Sequence, residues 1–262
     1  MKSREKRIIS GNYLEVEHFP VTEHGHRHDH KKRLSRIEQQ NLNEKNAIKK
    51  LIRLINTNFT KGDILIHCTY RADEMPTTET EVTKDIQNYF RRVKAYRKKH
   101  GLCKIKYIYV IECKNGKWHW HGIMSAMDRD AAEKLWKHSD HTNADRFQPT
   151  AKEGGEAFAR YISKKPMGAR RWNCSTNLKQ PEEKVKDGTH TRKGLARIAR
   201  ERVDDREYWE RKYKGYRFIS ATPVYNEFNG WWYIYVKMYR DTLKPLHQTK
   251  QRSIHNAKRC NP

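Results

Sequence analysis

The chain of 262 residues carries 56 Lys and Arg against 31 Asp and Glu, a formal charge of +25, with 35% hydrophobic and 33% charged residues. An average soluble domain has about 45–50% apolar and about 25% charged residues, so a neutral metabolic enzyme is excluded as the default, and one modest core with basic appendages is expected. The positive excess runs along every part of the chain, which suits a polyanion partner, because neutralised phosphates release condensed counterions.

Residues 1–40 are polar and read as an irregular basic arm. Its cluster EHGHRHDHKKR at 23–33 alternates His24, His26, His28 and His30, but no strand pattern surrounds them, so a solvated arm is favoured over a metal tract. Asn41 with Glu44 forms a capping box ahead of Ile48, Leu51, Ile52 and Ile55, predicting a helix over 42–56. Asp63 to Tyr70 (DILIHCTY) reads as a buried strand, with His67 assigned to core packing. A second capping box, Thr78 with Glu81, precedes Val82, Ile86, Tyr89, Phe90 and Val93, a helix that stops at Gly101.

Two strand-like runs, 106–112 and 118–125, flank Asn115-Gly116, the strongest short hairpin signal. Asp128 can cap a short helix through Trp136, a strand is expected at 145–148, a helix at 155–165 closed by Pro166, and a strand at 170–175. Hairpins without regular parallel crossovers point to an antiparallel α+β architecture. Beyond it, one basic helix is expected from Thr191 to about Tyr213, then a hairpin of 217–224 and 231–239 turning at Asn229-Gly230. The expected organisation is an arm and helix (1–60), a central domain (61–178), a helix-hairpin extension (179–240) and a disordered tail (241–262). Five cysteines without CxxC spacing suggest neither a disulfide framework nor a thiolate zinc site. No run approaches the ~20 apolar residues of a membrane span, and Met1 to Ser10 has no hydrophobic stretch behind it, so a cytoplasmic protein without a membrane partner is expected.

Within the second hairpin strand stands His119-Trp120-His121. Residues i and i+2 of a strand share a face, so the two imidazoles can share one cation. With Asn115 and Gly116 as the central residues of a type I′ turn, 114 pairs with 117, 113 with 118 and 112 with 119. Glu112 then faces His119, giving an open ligand set that suits Mg²⁺ or Mn²⁺. On the helix 155–165, Tyr161 is followed at i+3 and i+4 by Lys164 and Lys165, either of which can stand near the phenol oxygen.

HWH at 119–121 followed by YISKK at 161–165 resembles the HUH single-strand endonucleases, in particular the rolling-circle replication initiators of phages and plasmids. DILIHCTY resembles their first-strand motif, KYIYVIECKNGKWHWHGIM the histidine hairpin, and RRWNCSTNLK the segment after the tyrosine helix, so the likeness covers about 60–178. It implies a five-stranded antiparallel sheet with the histidines on a central strand and the tyrosine helix over it. It also implies a reaction: Tyr161 attacks a DNA phosphodiester, keeps the 5′-phosphate and frees a 3′-OH. By position His119 and His121 are the implied metal ligands, Glu112 the acidic third, Tyr161 the nucleophile and Lys164 the lysine of the YxxK form, with Lys165 auxiliary. Where tyrosine-pair initiators place a second tyrosine, Lys165 stands here, so a single-tyrosine mechanism is implied.

The implied partners are single-stranded origin DNA and, because the chain has no GxxxxGK[ST] loop, a host helicase with single-strand-binding protein. A catalytically silent nucleic-acid-binding module, or a relaxase or transposase with the same chemistry, remain the alternatives. Trp231, Trp232, Tyr233, Tyr235 and Tyr239 offer a base-stacking platform, although strand alternation sends at least half of them to the core.

Overall fold

The computed structural model describes residues 1–21, 37–150, 152–164 and 171–240. In chain order its elements are β1 (Lys2–Ser10), β2 (Tyr13–Val21), α1 (Ile37–Asn58), β3 (Ile64–Cys68), α2 (Glu79–Lys99), β4 (Tyr107–Lys114), β5 (Lys117–Met124), α3 (Arg129–Lys134), β6 (Asn143–Arg146), α4 (Glu156–Ile162), β7 (Asn173–Cys174), β8 (Glu182–Asp187), α5 (Arg192–Glu201), α6 (Arg206–Lys212), β9 (Arg217–Asn226) and β10 (Trp231–Tyr239). They form an α+β protein with two five-stranded antiparallel sheets among the described residues. Among the described residues, 58–179 make one compact unit, and 1–57 with 180–240 make the other. Among the described residues no helix is long and apolar enough to cross a membrane.

The sheet of the 58–179 unit has the order β6-β3-β5-β4-β7, with β5 in the middle. Its register starts at the turn, where Asn115 (φ 52) and Gly116 (φ 74) both take the left-handed conformation that a type I′ turn requires. From there the ladder runs Lys114 to Lys117, Cys113 to Trp118 and Glu112 to His119, as the sequence predicts. Alternation then sorts the faces. Ile64, Ile66, Cys68, Tyr109, Ile111, Trp120 and Met124 form one buried cluster with Val82, Ile86, Tyr89, Phe90 and Val93 of α2. The expected capping box holds α2: Glu81 N donates to Thr78 Oγ1 at 3.3 Å and Thr78 N to Glu81 Oε2 at 3.3 Å. Asp128 caps α3, accepting from Ala131 N at 2.7 Å. The strand expected at 145–148 lies slightly earlier, as β6.

The other sheet has the order β8-β1-β2-β10-β9. The opening residues, expected as an irregular arm, instead form the β1–β2 hairpin, with Lys2 opposite Val21 and Ser10 opposite Tyr13. The pattern is disguised because Ser3, Glu5, Ser10, Glu15 and His18 are buried alongside Ile8, Leu14 and Val16, so polarity does not alternate with burial. Strand β8 is exposed throughout. It is held by backbone pairing to β1 and by Arg4–Asp187 (2.7 Å) and Lys6–Glu183 (2.9 Å) across the ladder.

Two helices of this unit depart from expectation. Helix α1 begins at Ile37, which puts Asn41 and Glu44 inside it rather than at its cap. The basic stretch 191–213 breaks into α5 and α6, because Asp205 caps a new start by accepting from Tyr208 N at 2.9 Å and Trp209 Nε1 folds back to Val203 O at 2.9 Å. Leu195, Ile198 and Trp209 of these helices pack with Val16, Ile234, Val236 and Met238 of the sheet. The hairpin β9–β10 turns through four residues, 227–230, rather than the Asn229-Gly230 pair alone. The histidines at 24–30, Lys165, Pro166 and the tail 241–262 lie outside the described residues.

Candidate metal and nucleophile site

On β5 the side chain of Trp120 enters the α2 core, so His119 and His121 emerge on the opposite face of the sheet. Gly122 follows them where the space for a side chain is tight. A Cβ there would lie 3.0 Å from Ile108 O, 3.0 Å from Trp120 Cζ3 and 3.3 Å from Tyr109 Cβ. Glu112, on β4 directly opposite His119, places its Oε2 3.3 Å from His119 Nε2 and 4.0 Å from His121 Nε2. The structure thus brings together all three side chains that the hairpin register selects.

A fourth joins them from the other side. His67 on β3 pairs with His121, and its ring stacks on that of His121 at 4.3 Å, 5.6 Å from the ring of His119. The assignment of His67 to core packing is therefore corrected: Ile64, Ile66 and Cys68 take the α2 face, and His67 takes the site face. That alternation within DILIHCTY is the signal that could have found it.

One ligand atom each from His67, His119 and His121 lie within 4.8 Å of one another. Nε2 of His67 is buried and has no hydrogen-bond partner, an orphan that a cation would satisfy. Burial, reinforced by the charges of His67 and His119, lowers the His121 pKa to about 3. Burial, with His119, lowers that of His67. Both imidazoles are therefore neutral near pH 7, the state in which a ring nitrogen can ligate a metal. Three imidazoles with an adjoining carboxylate fit a divalent cation, in a softer set than the two histidines and one glutamate that the sequence suggests.

Tyr161 is half-exposed on α4, anchored by the buried Ala159 and Ile162. Its ring meets that of His121 edge to face, with centroids 5.1 Å apart. Helix α4 ends at Ile162 with Ser163 as its C-cap, so Lys164 lies just beyond the helix, its Nζ 5.9 Å from the centroid of the Tyr161 ring. Tyr70 and Tyr89 differ from Tyr161 in exposure. Both are buried, Tyr89 donates to Ala132 O at 3.1 Å, and burial pushes both phenol pKa values up.

Beside His67 and His119 opens a cavity of about 430 Å³, lined also by Thr69, Tyr70, Met75 and Trp118. A larger cavity of about 710 Å³ sits beside α2, lined by Lys94, Arg97, Lys104 and Asn177, and contains none of the site residues. In the other unit Glu5, His18 and His190 also converge. There the cationic position is already filled, since Lys212 Nζ lies 2.9 Å from His190 Nε2 and 3.4 Å from Glu5 Oε2.

Residues 63–166 match the model of a replication-associated protein family, that of the ORF2 type, a span that contains β3, the histidine hairpin and α4. No curated protein and no solved structure matches the chain. The match, which takes in His67, Glu112, His119, His121, Tyr161 and Lys164 together, supports a role for this protein in the initiation of replication.

Proposed function

We propose that the 58–179 unit is a metal-dependent nicking and joining enzyme for single-stranded DNA, of the HUH type, and that it initiates rolling-circle replication of a phage or plasmid. The observation that carries this reading is the approach of Tyr161 to His121, with ring centroids 5.1 Å apart on the face of the sheet that also bears His67, Glu112 and His119. A phenol with its proton on and a free-solution pKa of about 10 is a weak nucleophile at pH 7, so the site must favour the phenolate and the charge that develops on phosphorus.

Tyr161 loses its proton to solvent and its oxygen attacks the scissile phosphorus. The new bond joins the tyrosine oxygen to phosphorus, the bond to the 3′-oxygen breaks, and that oxygen takes up a proton to become a 3′-OH. The 5′-phosphate stays on Tyr161, and attack by a 3′-OH reverses the step and rejoins the strand. Lys164, 5.9 Å from the tyrosine ring, stabilises the phenolate and offsets phosphate charge. His67, His119 and His121, with Glu112 beside them, would hold Mn²⁺ or Mg²⁺, which when bound supplies polarisation of a nonbridging phosphate oxygen. The cavity beside His67 and His119 gives a nucleotide next to the scissile phosphate a place.

Opening duplex costs about 1.4 kcal/mol per stacked step, and the sequence has no nucleotide-hydrolysing loop. The substrate is therefore single-stranded or negatively supercoiled origin DNA, and a host helicase with single-strand-binding protein extends the nick. The test is to incubate the protein with single-stranded origin oligonucleotides and Mn²⁺ and resolve the products under denaturing conditions. The wild type is expected to form a covalent protein–DNA adduct that chelator abolishes, and Tyr161→Phe none. An undiminished adduct in Tyr161→Phe overturns the assignment.

A further inference from the structure

We propose that the tip of the β9–β10 hairpin, with the exposed face of α5, is a second DNA-binding site that stacks on unpaired bases. The apex residue Phe228 is fully exposed, and Tyr225 on the same hairpin is 46% exposed. Water is a poor solvent for a ring with no protein neighbour, and this one is held out by a closed set of bonds rather than by a loose loop. Asn226 Oδ1 accepts from Phe228 N at 3.0 Å, Gly230 N donates to Asn226 O at 2.8 Å, and Trp231 N donates to Asn229 Oδ1 at 3.0 Å. Gly230 (φ 66) closes the turn in a conformation that side chains rarely adopt. Behind the apex, the rings of Tyr225 and Trp232 lie 5.2 Å apart, so a stack begun on Phe228 can continue along the strand.

The surface next to these rings is cationic. Arg192 binds the turn itself, its Nε donating to Gly230 O at 2.8 Å, and the Arg200 guanidinium stands 6.0 Å over the Trp232 ring. Lys193 and Arg197 are exposed on the same helix, and no acidic residue occurs from 188 to 200. Glu227 is the single acidic side chain of the turn. Exposed rings interleaved with Lys and Arg match a polyanion that also presents flat apolar faces, which is a single strand: stacking needs unpaired bases and the cations need phosphates. An apolar protein surface would be served by the rings but not by the row of cations. The site does not use the histidine face and does not depend on its chemistry.

Binding of the full-length protein to a fluorescein-labelled 20-nucleotide single strand, and to the same sequence as duplex, is measured by anisotropy in the presence of chelator. Phe228→Ala removes a side chain that packs against nothing, and is expected to weaken single-strand binding about tenfold, or about 1.4 kcal/mol, while leaving duplex binding unchanged. Lys193→Gln with Arg197→Gln is expected to reduce the slope of log K against log salt by about 1.4, two phosphates' worth on a single strand. Single-strand affinity of Phe228→Ala within twofold of wild type overturns the proposal and leaves the tip to a protein partner; an equal loss on duplex overturns the stacking on unpaired bases. Phe228→Ala is expected to form the covalent adduct at saturating strand, and Tyr161→Phe to keep wild-type anisotropy. Failure of the nicking chemistry and failure of this site are thereby read separately.

Discussion

His67 and His121 stand directly opposite each other in the β3–β5 ladder, and their rings stack at 4.3 Å with an interplanar angle of 14°. Stacked neutral imidazoles exclude water from each other, and the buried Nε2 of His67 is left without a hydrogen bond. A cation bound here is expected to use His67 as fully as the two histidines of the HWH run. His67→Ala should therefore weaken Mn²⁺ binding by at least about tenfold, the loss that even a residue merely orienting a ligand causes. Mn²⁺ should bind more tightly than Mg²⁺, because nitrogen donors favour the softer ion. Calorimetric titration of Mn²⁺ into both proteins checks this, and an unchanged dissociation constant in His67→Ala would remove His67 from the site.

Gly122 offers a test of the sheet itself. Since an added Cβ would press on the backbone oxygen of Ile108 and the indole of Trp120, neither of which can swing aside, Gly122→Ala is expected to cost about 1–3 kcal/mol as an overpacked core does. The urea midpoint of unfolding should fall accordingly. A midpoint matching wild type would mean that β4 and β5 are more widely spaced than described.

Acid should weaken the unit that contains His18. Burial, with Lys212 the next largest cause, lowers the pKa of His18 to about 3, against an ordinary 6.5. The groups facing it are Glu5, Lys212, His190 and Arg7, with Tyr213 Oη 3.3 Å from Nε2. Because the folded pKa lies below the unfolded one, the unfolded chain takes the proton first. The stability His18 contributes is complete above about pH 6.5 and is lost as pH falls toward about 3, at up to about 1.4 kcal/mol per pH unit. Unfolding midpoints measured from pH 7.5 to pH 5 should decline more steeply in wild type than in His18→Gln, and parallel curves would contradict this.

The parts of the fold that were legible in the sequence are those set by neighbours. The Asn115-Gly116 turn fixes its own strand register, which is why Glu112 could be placed opposite His119, and the Thr78–Glu81 box fixes a helix start within four residues. The alternation within DILIHCTY sends His67 to the face away from Ile64, Ile66 and Cys68, but its partner His121 lies on β5, 54 positions away, and no local rule encodes that pairing. The N-terminal hairpin was misread for a different reason. Glu5 and Glu15 are buried but paired with Arg7 and Arg53, and the buried His18 meets Tyr213 through its Nε2, so the strands carry polar groups where an alternation rule looks for apolar residues. The split between α5 and α6 turned on Asp205 acting as a cap within a continuous basic amphipathic stretch.

Where the two chain connections of the 58–179 unit meet, Asn58 and Lys179 exchange a pair of hydrogen bonds, each 2.8 Å, closing that segment on itself. The strands that flank the β1–β2 hairpin, β8 and β10, come only after it in the chain. On a ribosome working at ~5–20 residues per second, the hairpin is made before both of its neighbours and waits on the order of ten seconds with both edges open before β8 is made. Open edges recruit other strands, so the nascent chain is most prone to misassociation in that interval, and an early stop just after residue 179 releases a chain with a finished central unit and a β1–β2 hairpin whose two edges are unpaired.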